Sequence, residues 1–487
     1  MKKAIVVGAG LGGISAALRL KAQGHQVCLV DRLNQLGGRA RVFRQDGFSF
    51  DAGPTVITAP FLIDELFELF GKKTKDYIEV KEVEPWYRFE FNDGSTFDYG
   101  GTLEDTLAEI DKLSPEDKEG YKKLLEKSRQ IFDIGFTKLS TEPFHSFFTL
   151  LREVPQMLKL RADRSVYQLI SRYLKDDRLR RAFSIQPLLV GGNPFDTTCI
   201  YNLIHYLERQ WGIHYVMGGT AALVNAFGRL MQEEGIEIRL DSEVIGFEGD
   251  ETLKSAVLKD GQKIEADFFV CNAEPAFVYE NLVPKSFNKK WNSWRINRLE
   301  FSMGLFVLYF GTHIQYEDVK HHTILMGDSY EGLLDSIFNK KELRYDDMSL
   351  YLHRPTATDP QMAPPGCDSF YVLSPVPNLK SGIDWSKETE TYKQKVYEKL
   401  ESRILPNLRN HLATERVLTP KEFKADYHAH LGSGFSVAPK FSQSAYFRFH
   451  NKSENFKNLF FVGAGTHPGA GIPGVMSSSK VLDRLVS

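Results

Sequence analysis

The stretch Ala4-Ile5-Val6-Val7-Gly8-Ala9-Gly10-Leu11-Gly12-Gly13 decides the fold of this chain. It begins as a short apolar, β-branched run, which predicts a buried parallel strand. A glycine-rich turn follows, and then a periodic apolar stretch that predicts a helix ending near Gly24. A second short apolar run at residues 27–30 closes on Asp31. The N-terminus therefore forms one strand–helix–strand unit of about thirty residues.

The spacing of Gly8, Gly10 and Gly13 is typical of a dinucleotide-binding turn. The first glycine allows a tight turn, the second lets the backbone approach a pyrophosphate, and the third lets the helix pack closely on the strand. The helix N-terminus presents free N–H groups and the positive end of its dipole to phosphates. An acid at the end of the second strand is placed to hold ribose hydroxyls. The candidate cofactor-binding residues of this unit are Gly8, Ala9, Gly10, Gly12, Gly13 and Asp31.

Two further glycine-rich turns favour FAD over NAD. In Gly37-Gly38-Arg39 the arginine is suited to a phosphate or a flavin edge. Residues 463–474 follow a last short apolar strand at 458–462 and lead into a final helix near Gly474-Val475. The N-terminus of that helix suits a flavin edge that gains negative charge on reduction. With one dinucleotide fingerprint, no internal NAD(P)H module is expected, so electrons leave to an external acceptor. The further candidate cofactor residues are Gly38, Arg39, Gly53, Pro54, Thr55, Val244, Gly463, Gly465, Gly474 and Val475.

Composition excludes several classes of protein. The chain has 487 residues, of which 42% are hydrophobic and 25% charged, as in ordinary globular proteins. A net charge of −2 gives no basic field, so no nucleic-acid partner is expected. The four cysteines lie far apart, which predicts neither a disulfide framework nor a zinc site. No apolar run is long enough for a spanning helix, and the N-terminus is interpreted as mature structure in the cytoplasm. The 35 phenylalanines indicate either a bulky core or a cavity for a large apolar ligand.

Patterns along the rest of the chain indicate mixed α/β structure. An Asp93-Gly94 turn between two β-rich runs predicts an antiparallel hairpin. A helical region is predicted over residues 102–210, with a helix start at Ser114-Pro115. Strands are predicted over residues 236–244 and 268–271, with an Asp260-Gly261 turn between them. A helix is predicted near residues 388–404.

At this point the sequence resembles the bacterial and fungal phytoene desaturases of the carotenoid pathway, within the flavin amine-oxidase superfamily. The sequence matches this family in a series of short blocks along the whole chain. The first and last of these blocks would be expected in any member of the superfamily. The middle blocks, together with the turn from Gly465 to Gly474, narrow the resemblance to carotenoid desaturases. The blocks are the N-terminal fingerprint, Leu36-Gly37-Gly38-Arg39-Ala40, Phe50-Asp51-Ala52-Gly53-Pro54-Thr55, residues 188–194, residues 201–211, Gly218-Gly219-Thr220, residues 305–311, residues 428–437 and residues 458–475. One departure is Val216-Met217, where many family members carry a proline beside a polar residue.

The resemblance implies non-covalent FAD, a long hydrocarbon polyene as substrate, and quinone or oxygen as electron acceptor. It also implies a peripheral association with the lipid surface of a membrane. The expected fold is α/β, with a Rossmann-like FAD-binding domain of the amine-oxidase/GDI type. That domain is expected to comprise residues 1–80, 215–290 and 416–487. An antiparallel-sheet substrate domain is expected over residues 81–101 and 291–415, and a helical membrane-facing part over residues 102–214.

The expected function is stepwise dehydrogenation of phytoene towards neurosporene or lycopene, by hydride transfer to flavin followed by proton loss. Alternatives within the family are a diapophytoene desaturase, a carotenoid isomerase and a carotenoid oxygenase. A flavin amine oxidase is an alternative from another class, and an isoprenoid-binding chaperone of the Rab GDI kind is a non-enzymatic one. The number of desaturation steps and the oligomeric state are not readable from the sequence.

Several polar residues outside the glycine turns each admit two interpretations. His467 is either a proton acceptor beside the flavin or a structural turn histidine. His428 and His430 form an H-x-H pair on a presumed strand, but with no third ligand evident no metal site is predicted. The Glu208-Arg209 pair is interpreted as a structural ion pair. Eight Lys and Arg within residues 159–181, preceded by a Phe- and Leu-rich stretch, indicate either a lipid-binding patch or an ordinary solvated helix face.

Overall fold

A computed structural model describes residues 1–486, with the exception of the Phe147 side chain. The N-terminal unit lies at the centre of a five-stranded parallel sheet. Its strands are β1 (Lys3–Val7), β2 (Gln26–Val30), β9 (Glu237–Arg239), β13 (Phe268–Cys271) and β19 (Leu459–Phe461). They lie in the order β19-β13-β1-β2-β9, and every neighbouring pair is parallel. The turns that follow β1, β2, β13 and β19 therefore converge at one edge of the sheet, where ligands of such sheets bind.

Both faces of this sheet are buried, as the continuous apolar strands predict. On one face, Ala4 and Val6 pack with helices α1 (Leu11–Ala22) and α15 (Ile472–Val486). On the other face, Ile5 and Val7 pack against a three-stranded antiparallel sheet. That sheet consists of β10 (Val244–Gly249), β11 (Leu253–Leu258) and β12 (Lys263–Glu265).

A larger seven-stranded sheet forms the second half of the molecule. Its strands are β6 (Tyr87–Glu90), β7 (Thr96–Tyr99), β14 (Gly304–Thr312), β15 (His322–Leu325), β16 (Leu350–His353), β17 (Asp368–Val376) and β18 (Leu412–Leu418). They lie in the order β18-β14-β17-β16-β15-β6-β7. The predicted antiparallel hairpin is β6–β7. The pair β6–β15 is parallel, so the sheet is mixed rather than wholly antiparallel.

Strand β14 is buried along its whole length and serves both faces of the larger sheet. Phe306, Leu308 and Phe310 pack under helix α13 (Trp385–Arg403), which covers the outer face. The alternate residues Leu305 and Val307 point to the opposite face, towards the interior of the molecule. This period of two explains why one strand carries an almost uninterrupted apolar run.

The remaining elements are helices and two short antiparallel strand pairs. The pairs are β3 (Val42–Gln45) with β4 (Phe48–Asp51) and β5 (Val80–Glu82) with β8 (His214–Val216). The helices are α2 (Phe61–Glu68), α3 (Leu103–Leu113), α4 (Lys118–Ile134), α5 (Phe147–Leu160), α6 (Val166–Ile170), α7 (Asp177–Phe183), α8 (Leu203–Trp211), α9 (Gly219–Glu233), α10 (Pro275–Phe277), α11 (Ser293–Ile296), α12 (Tyr330–Asp335) and α14 (Pro420–Tyr427). Helices α3 to α8 make up the predicted helical region. Within residues 1–486, no helix combines the length and apolar character needed to cross a bilayer.

Several local predictions differ from the structure. Ser114 does not cap a helix with its side chain; the chain forms a short 3₁₀ turn there, and α4 begins at Lys118. The strand predicted over 236–244 is two strands, β9 and β10, separated by a turn in which Asp241 has φ of 51°. The final helix begins at Ile472, before the predicted Gly474-Val475 start. Strand β18 continues to Leu418, past the boundary expected at 415.

Candidate active site

A cavity of about 560 Å³ begins at the turn after β1 and extends to the inner face of the seven-stranded sheet. Most of the candidate residues from the sequence line it, although they come from widely separated parts of the chain. Those on its wall are Gly8, Gly10, Gly12, Asp31, Gly38, Arg39, Gly53, Pro54, Thr55, Val244, Gly465, His467, Gly474 and Val475. The sequence-derived candidates therefore meet around one space.

Three candidates, Ala9, Gly13 and Gly463, lie behind the cavity wall. A Cβ on Gly13 would be 1.9 Å from the Gly8 carbonyl oxygen, so this glycine brings α1 close to β1. A Cβ on Gly463 would be 2.4 Å from Oδ1 of Asn272. These residues shape the wall by close packing rather than by facing the cavity.

The turn between β1 and α1 presents the helix N-terminus to the cavity. Gly10 is the N-cap, and the first turn of α1 contains no acidic residue. The Asp31 carboxylate accepts hydrogen bonds from the backbone N–H of Ala9 at 2.5 Å and of Leu33 at 2.8 Å. Burial raises the pKa of Asp31, while these hydrogen bonds lower it. A carboxylate has about four acceptor positions, so acceptors remain for ribose hydroxyls.

Arg39 supplies a positive charge at the cavity wall. Within the described residues its guanidinium makes no hydrogen bond, and it lies 5.9 Å from the centre of the Tyr427 ring. Burial lowers the pKa of Arg39, and Glu274 and Tyr427 oppose that shift. A guanidinium has five N–H donors, and here they are available to a phosphate or a flavin edge.

The C-terminal glycine turn presents a second helix N-terminus. Ala464, Gly465 and residues 470–475 line the cavity, and α15 begins among them. A Cβ on Gly474 would be 2.7 Å from the Gly469 carbonyl oxygen, so the turn closes tightly only without a side chain there. The first turn of α15 carries no acid; Pro473 has no N–H and the Val475 N–H donates to the Gly471 carbonyl at 2.8 Å, so the donors left for an electron-rich group are the N–H groups of Ile472 and Gly474.

The residues present fit FAD. Two acid-free helix N-termini, a carboxylate at the end of β2 and an unpaired guanidinium lie around the same cavity. Gly10 and Gly12 let the turn lie close to the side-chain amide of Asn272. A Cβ on Gly10 would be 2.8 Å from that amide, and a Cβ on Gly12 would be 2.5 Å from it. These features supply donors for a pyrophosphate, acceptors for ribose and a positive dipole end for a flavin edge.

Sequence reasoning missed several residues of the wall. Asn272 directly follows β13, whose neighbour β1 carries the glycine turn, so its position after a parallel strand was a usable signal. Glu274 accepts a hydrogen bond from Ser436 Oγ at 2.7 Å. Glu243 and Tyr427 also line the cavity, but no local pattern marks them.

His467 is buried and lines the cavity. Its Nε2 lies 2.8 Å from the Leu139 carbonyl oxygen, and because a carbonyl only accepts, Nε2 carries the hydrogen. Nδ1 is then the nitrogen with a lone pair. Burial is the main reason that the pKa of His467 falls to about 4. The ring also packs edge-on against Phe144 at 4.9 Å.

Beyond the glycine turns, the cavity is lined by apolar side chains. Residues from the inner face of the seven-stranded sheet and from the helical region form this part. They include Ile185, Leu188, Leu189, Leu305, Val307, Ile324, Leu350, Tyr351, Tyr371 and Leu373. Thr55 joins this wall, with its Oγ1 3.1 Å from the Tyr351 hydroxyl and 2.6 Å from the Tyr371 hydroxyl. This part of the cavity suits an apolar ligand with few polar groups.

The cavity also reaches a surface with exposed apolar residues. Leu150 and Met157 of α5 line it, as do Phe441 and Phe447. Outside it, α5 exposes Phe148 at 80%, Leu151 at 50% and Leu158 at 66%. Phe441 and Phe447 are themselves 46% and 44% exposed. We call these five exposed side chains, Phe148, Leu151, Leu158, Phe441 and Phe447, the apolar rim.

The basic stretch next to α5 is less positive than its sequence indicates. Arg161 pairs with Asp163, Lys175 with Glu116, Arg178 with Asp93 and Asp176, and Arg181 with Asp177. Within the described residues, the members without an acidic partner are Lys159, Arg164, Arg172 and Arg180. The apolar rim is therefore the stronger feature of this surface.

Two sequence interpretations are wrong in their geometry. Glu208 and Arg209 do not pair: Glu208 accepts from the Tyr87 hydroxyl at 3.3 Å and from Gln186 Nε2 at 3.2 Å. Arg209 turns away and lies over the Trp86 ring at 4.6 Å. Successive helix residues point in different directions, which separates the two charges.

The H-x-H pair does not lie on a strand. His428 follows α14 and stacks on Phe277 at 4.1 Å. Its Nε2 lies 3.6 Å from Glu243, whereas His430 Nδ1 lies 3.6 Å from Glu280. The two rings therefore have different acidic neighbours rather than a shared centre.

The similarity to known proteins agrees with this geometry. The family model "Flavin containing amine oxidoreductase" matches residues 11–480. The phytoene desaturase (lycopene-forming) of Pseudescherichia vulneris is 44% identical over 488 residues, covering 100% of this chain and 99% of that protein. The phytoene desaturase (neurosporene-forming) of Rhodobacter capsulatus is 41% identical, with coverage of 100% and 94%. The 4,4'-diapophytoene desaturase (4,4'-diaponeurosporene-forming) of Staphylococcus haemolyticus is 34% identical, with coverage of 98% and 97%.

The chain therefore belongs to the flavin-containing amine oxidoreductases and is an FAD-dependent oxidoreductase. Within that superfamily it is a member of the carotenoid desaturases. This confirms the resemblance and the cofactor expected from the sequence.

Solved structures confirm the expected amine-oxidase/GDI-type fold. An oxidoreductase from Methanosarcina mazei has a TM-score of 0.66 at 17% identity, covering 100% of both chains. Putrescine oxidase bound to putrescine has a TM-score of 0.63 at 12% identity, covering 100% of this chain and 99% of that one. A Rab GDI from Plasmodium falciparum has a TM-score of 0.59 at 12% identity, covering 99% and 98%. At these identities the likeness concerns the fold alone.

Proposed function

We propose that this protein desaturates phytoene stepwise, towards neurosporene or lycopene, with FAD as oxidant. The observation that carries the proposal is the continuity of the cavity. Its glycine-lined end fits FAD, and its apolar end leads past Tyr351 and Tyr371 to the apolar rim. A long hydrocarbon needs an apolar path to the flavin, and the names of the curated relatives support phytoene as the substrate.

The chain's own residues orient the substrate and exclude water. Bound FAD would supply the acceptor for a hydride from an allylic C–H of the substrate. Loss of a proton from the neighbouring carbon completes the double bond. The rings of Tyr351 and Tyr371 can stabilise positive charge that develops on the polyene, by about 0.5–2 kcal/mol each. The apolar walls keep water from the charged carbon during that step.

His467 is our candidate for the proton acceptor. It lies on the cavity wall, its Nδ1 has a free lone pair, and its low pKa keeps the ring neutral at pH 7. The hydrogen bond from Nε2 to the Leu139 carbonyl holds the ring in place and would stabilise the imidazolium that forms. Proton release to bulk water would follow when product leaves.

The apolar rim is the proposed contact with a membrane. Phytoene is insoluble in water, so it must enter from lipid. The rim side chains surround the cavity residues Leu150 and Met157 on α5. Fully burying one such side chain contributes about 1.5–3 kcal/mol, so five of them can hold the protein at a bilayer without a spanning helix. The domain division expected from the sequence, with residues 102–214 facing the membrane, belongs to this proposal.

Quinone or oxygen is the proposed electron acceptor. The sequence has one dinucleotide-binding turn, which the FAD site uses, so the electrons would leave to an external acceptor rather than to a bound NAD(P).

The cavity also suits a shorter polyene, and a relative at 34% identity is named a diapophytoene desaturase. Substrate length therefore needs a direct test.

The test is anaerobic mixing of FAD-loaded protein with phytoene in liposomes, in the absence of any acceptor. We expect the flavin absorbance to bleach while a more unsaturated polyene appears. Quinone should then restore the flavin colour. An unchanged flavin spectrum with phytoene, together with bleaching by diapophytoene, would assign the shorter substrate. No bleaching with either polyene, on liposome-bound protein, would refute the desaturase function.

A further inference from the structure

Three histidines at the ends of two neighbouring strands, β15 and β16, meet behind the Tyr351 side of the cavity. His322 begins β15 and is paired in register with His353 at the end of β16. His321 precedes them in the chain. His321 is 4% exposed, and His322 and His353 are 0% exposed. Each offers one ring nitrogen, and these atoms lie within 4.8 Å of one another.

The ring nitrogens that face this centre have no hydrogen-bond partner among the described residues. Thr358 Oγ1 lies 2.7 Å from Nδ1 of His321, and the Tyr351 hydroxyl lies 2.7 Å from Nδ1 of His322. Their Nε2 atoms are buried and unpartnered, as are both ring nitrogens of His353. Buried polar atoms without partners are costly and rare, so several at one point indicate a missing ligand.

A carboxylate lies next to His353 in this cluster. Asp51, at the end of β4, is 1% exposed. Its Oδ1 accepts the backbone N–H of Thr220 at 2.7 Å and the Thr220 hydroxyl at 2.9 Å. Its Oδ2 is buried, has no hydrogen-bond partner, and lies 3.6 Å from Nε2 of His353. The N-terminus of α9 thus holds one oxygen of Asp51 while the other faces the histidines.

We propose that His321, His322 and His353 form a binding site for one divalent transition-metal ion, with zinc as the best match and with Asp51, beside His353, as its fourth ligand. Imidazole nitrogens suit zinc, copper, iron and nickel, whereas an all-oxygen set would suit magnesium or calcium. Four protein ligands form a closed tetrahedral site, which is typical of structural rather than catalytic zinc. At bond lengths of about 2.0–2.1 Å the ligand atoms would be about 3.3 Å apart, so binding would bring ring nitrogens that now lie up to 4.8 Å apart closer together by as much as about 1.5 Å.

The surroundings match those of a metal site. Metal-binding histidines usually use their second ring nitrogen to bind an oxygen, which fixes the ring. The Thr358 and Tyr351 hydroxyls fill this role for His321 and His322. The nearest cation, Arg354, donates from Nε to Asp368 at 2.9 Å and from Nη1 to the Val319 carbonyl at 2.9 Å, so its charge is compensated.

The ion would tie the two halves of the molecule together at the cavity wall. Asp51 belongs to the β3–β4 pair, which follows the dinucleotide unit, and is bound to α9, whereas the histidines belong to the seven-stranded sheet. His322 contacts Tyr351, whose hydroxyl lies 3.1 Å from Thr55 on that wall. The four ligands are therefore positioning residues, and removing the ion should loosen this wall.

The experiment measures bound metal in the full-length, FAD-loaded protein by mass spectrometry of the elements. His322→Gln, His353→Gln and Asp51→Asn test the cluster. His205→Gln is the matched control, because His205 is also 0% exposed and has an unpartnered Nε2, but lies elsewhere against Tyr99. We expect about one zinc per chain in wild type and control, and at least a tenfold lower occupancy in the cluster variants. Chelation should lower the midpoint of thermal unfolding of the wild type, and Zn²⁺ alone should restore it.

Two results would overturn the site. One is a wild-type protein that retains no metal after separate incubation with Zn²⁺, Mn²⁺, Fe²⁺ and Co²⁺ and shows no shift in its unfolding midpoint. The other is full metal occupancy in all three cluster variants. Should the variants fail to fold, X-ray absorption of the wild-type metal decides: a shell of nitrogen and oxygen with imidazole scattering supports the site, and sulfur ligands refute it.

Discussion

A Cβ atom on Gly13 would lie 1.9 Å from the carbonyl oxygen of Gly8. No side chain fits at that distance, so the approach of α1 to β1 depends on a hydrogen at this position. We expect Gly13→Ala to push the helix away from the glycine turn and abolish FAD retention, with a loss of stability of about 1–3 kcal/mol from overpacking. The measurement is the FAD-to-protein ratio after gel filtration, together with the unfolding midpoint.

Gly246→Ala is the control for that change. Its added Cβ would have its nearest contact at 3.8 Å, an ordinary distance. We expect Gly246→Ala to retain FAD and to unfold at the same midpoint as the wild type. Normal FAD content in Gly13→Ala would show that the close contact of strand and helix is not needed for the cofactor site.

Arg39 should contribute to FAD affinity through its charge and its free donors. A hydrogen bond to a charged group contributes about 1.5–3 kcal/mol, so Arg39→Ala should weaken FAD binding roughly tenfold to hundredfold. Titration of the apoprotein with FAD, followed by flavin fluorescence, gives the affinity. Arg44→Ala is the control, because Arg44 is exposed. Equal affinities in the two variants would remove Arg39 from the cofactor site.

The apolar rim should bind bilayers through the hydrophobic effect rather than through charge. We expect the double variant Phe148→Ser, Leu158→Ser to reduce co-sedimentation with neutral phospholipid vesicles at least tenfold, since each residue contributes about 1.5–3 kcal/mol when buried. Binding of the wild type should persist at high salt, because much of the basic stretch is already paired. The control is Ile245→Ser, a 49% exposed residue on β10. If high salt abolishes the binding of the wild type to vesicles, the basic stretch at residues 159–181 is the membrane contact instead.

Stability should depend on pH through Glu208. Burial raises the pKa of Glu208 from 4.5 to about 8. The folded protein therefore holds a proton that the unfolded chain releases, and stability falls as pH rises from about 4.5 to about 8. Glu208→Gln keeps the shape but has no ionisable proton. The difference between the wild-type and variant free energies of unfolding should shift against the wild type across this range, by a few kcal/mol at about 1.4 kcal/mol per pKa unit. If the free energy of unfolding depends on pH in the same way for the wild type and Glu208→Gln, the pKa of Glu208 is not raised.

His467 can be tested apart from its packing. If it takes up the proton, His467→Gln should lower kcat at least a hundredfold while FAD content and KM stay near wild type. Phe144→Leu removes the ring contact at 4.9 Å but keeps the imidazole, and so controls for packing. Steady-state rates of formation of the desaturated product, with quinone as acceptor and phytoene varied, give kcat and KM. A similar loss in both variants would assign His467 a structural role only.

Local patterns predicted much of the fold and most of the cofactor site. The β1–α1–β2 unit and the β6–β7 hairpin follow from short-range periodicity and turn chemistry. The cofactor residues were readable because each follows a strand or begins a helix at a fixed offset. The boundary between β9 and β10 could not be predicted, because the turn at Asp241 falls within a segment whose alternating apolar and polar residues suggest one strand.

The sequence by itself determined the nucleotide-binding unit, because a strand, a turn and a helix that are adjacent in the chain form through local contacts. Only the tertiary structure decided which distant residues share one space. It brings Tyr87 and Gln186 to the Glu208 carboxyl group, and it brings Asp51 to within 3.6 Å of His353 across hundreds of residues of chain. Such contacts depend on how separate strands and helices pack together, and no local spacing in the sequence predicts them.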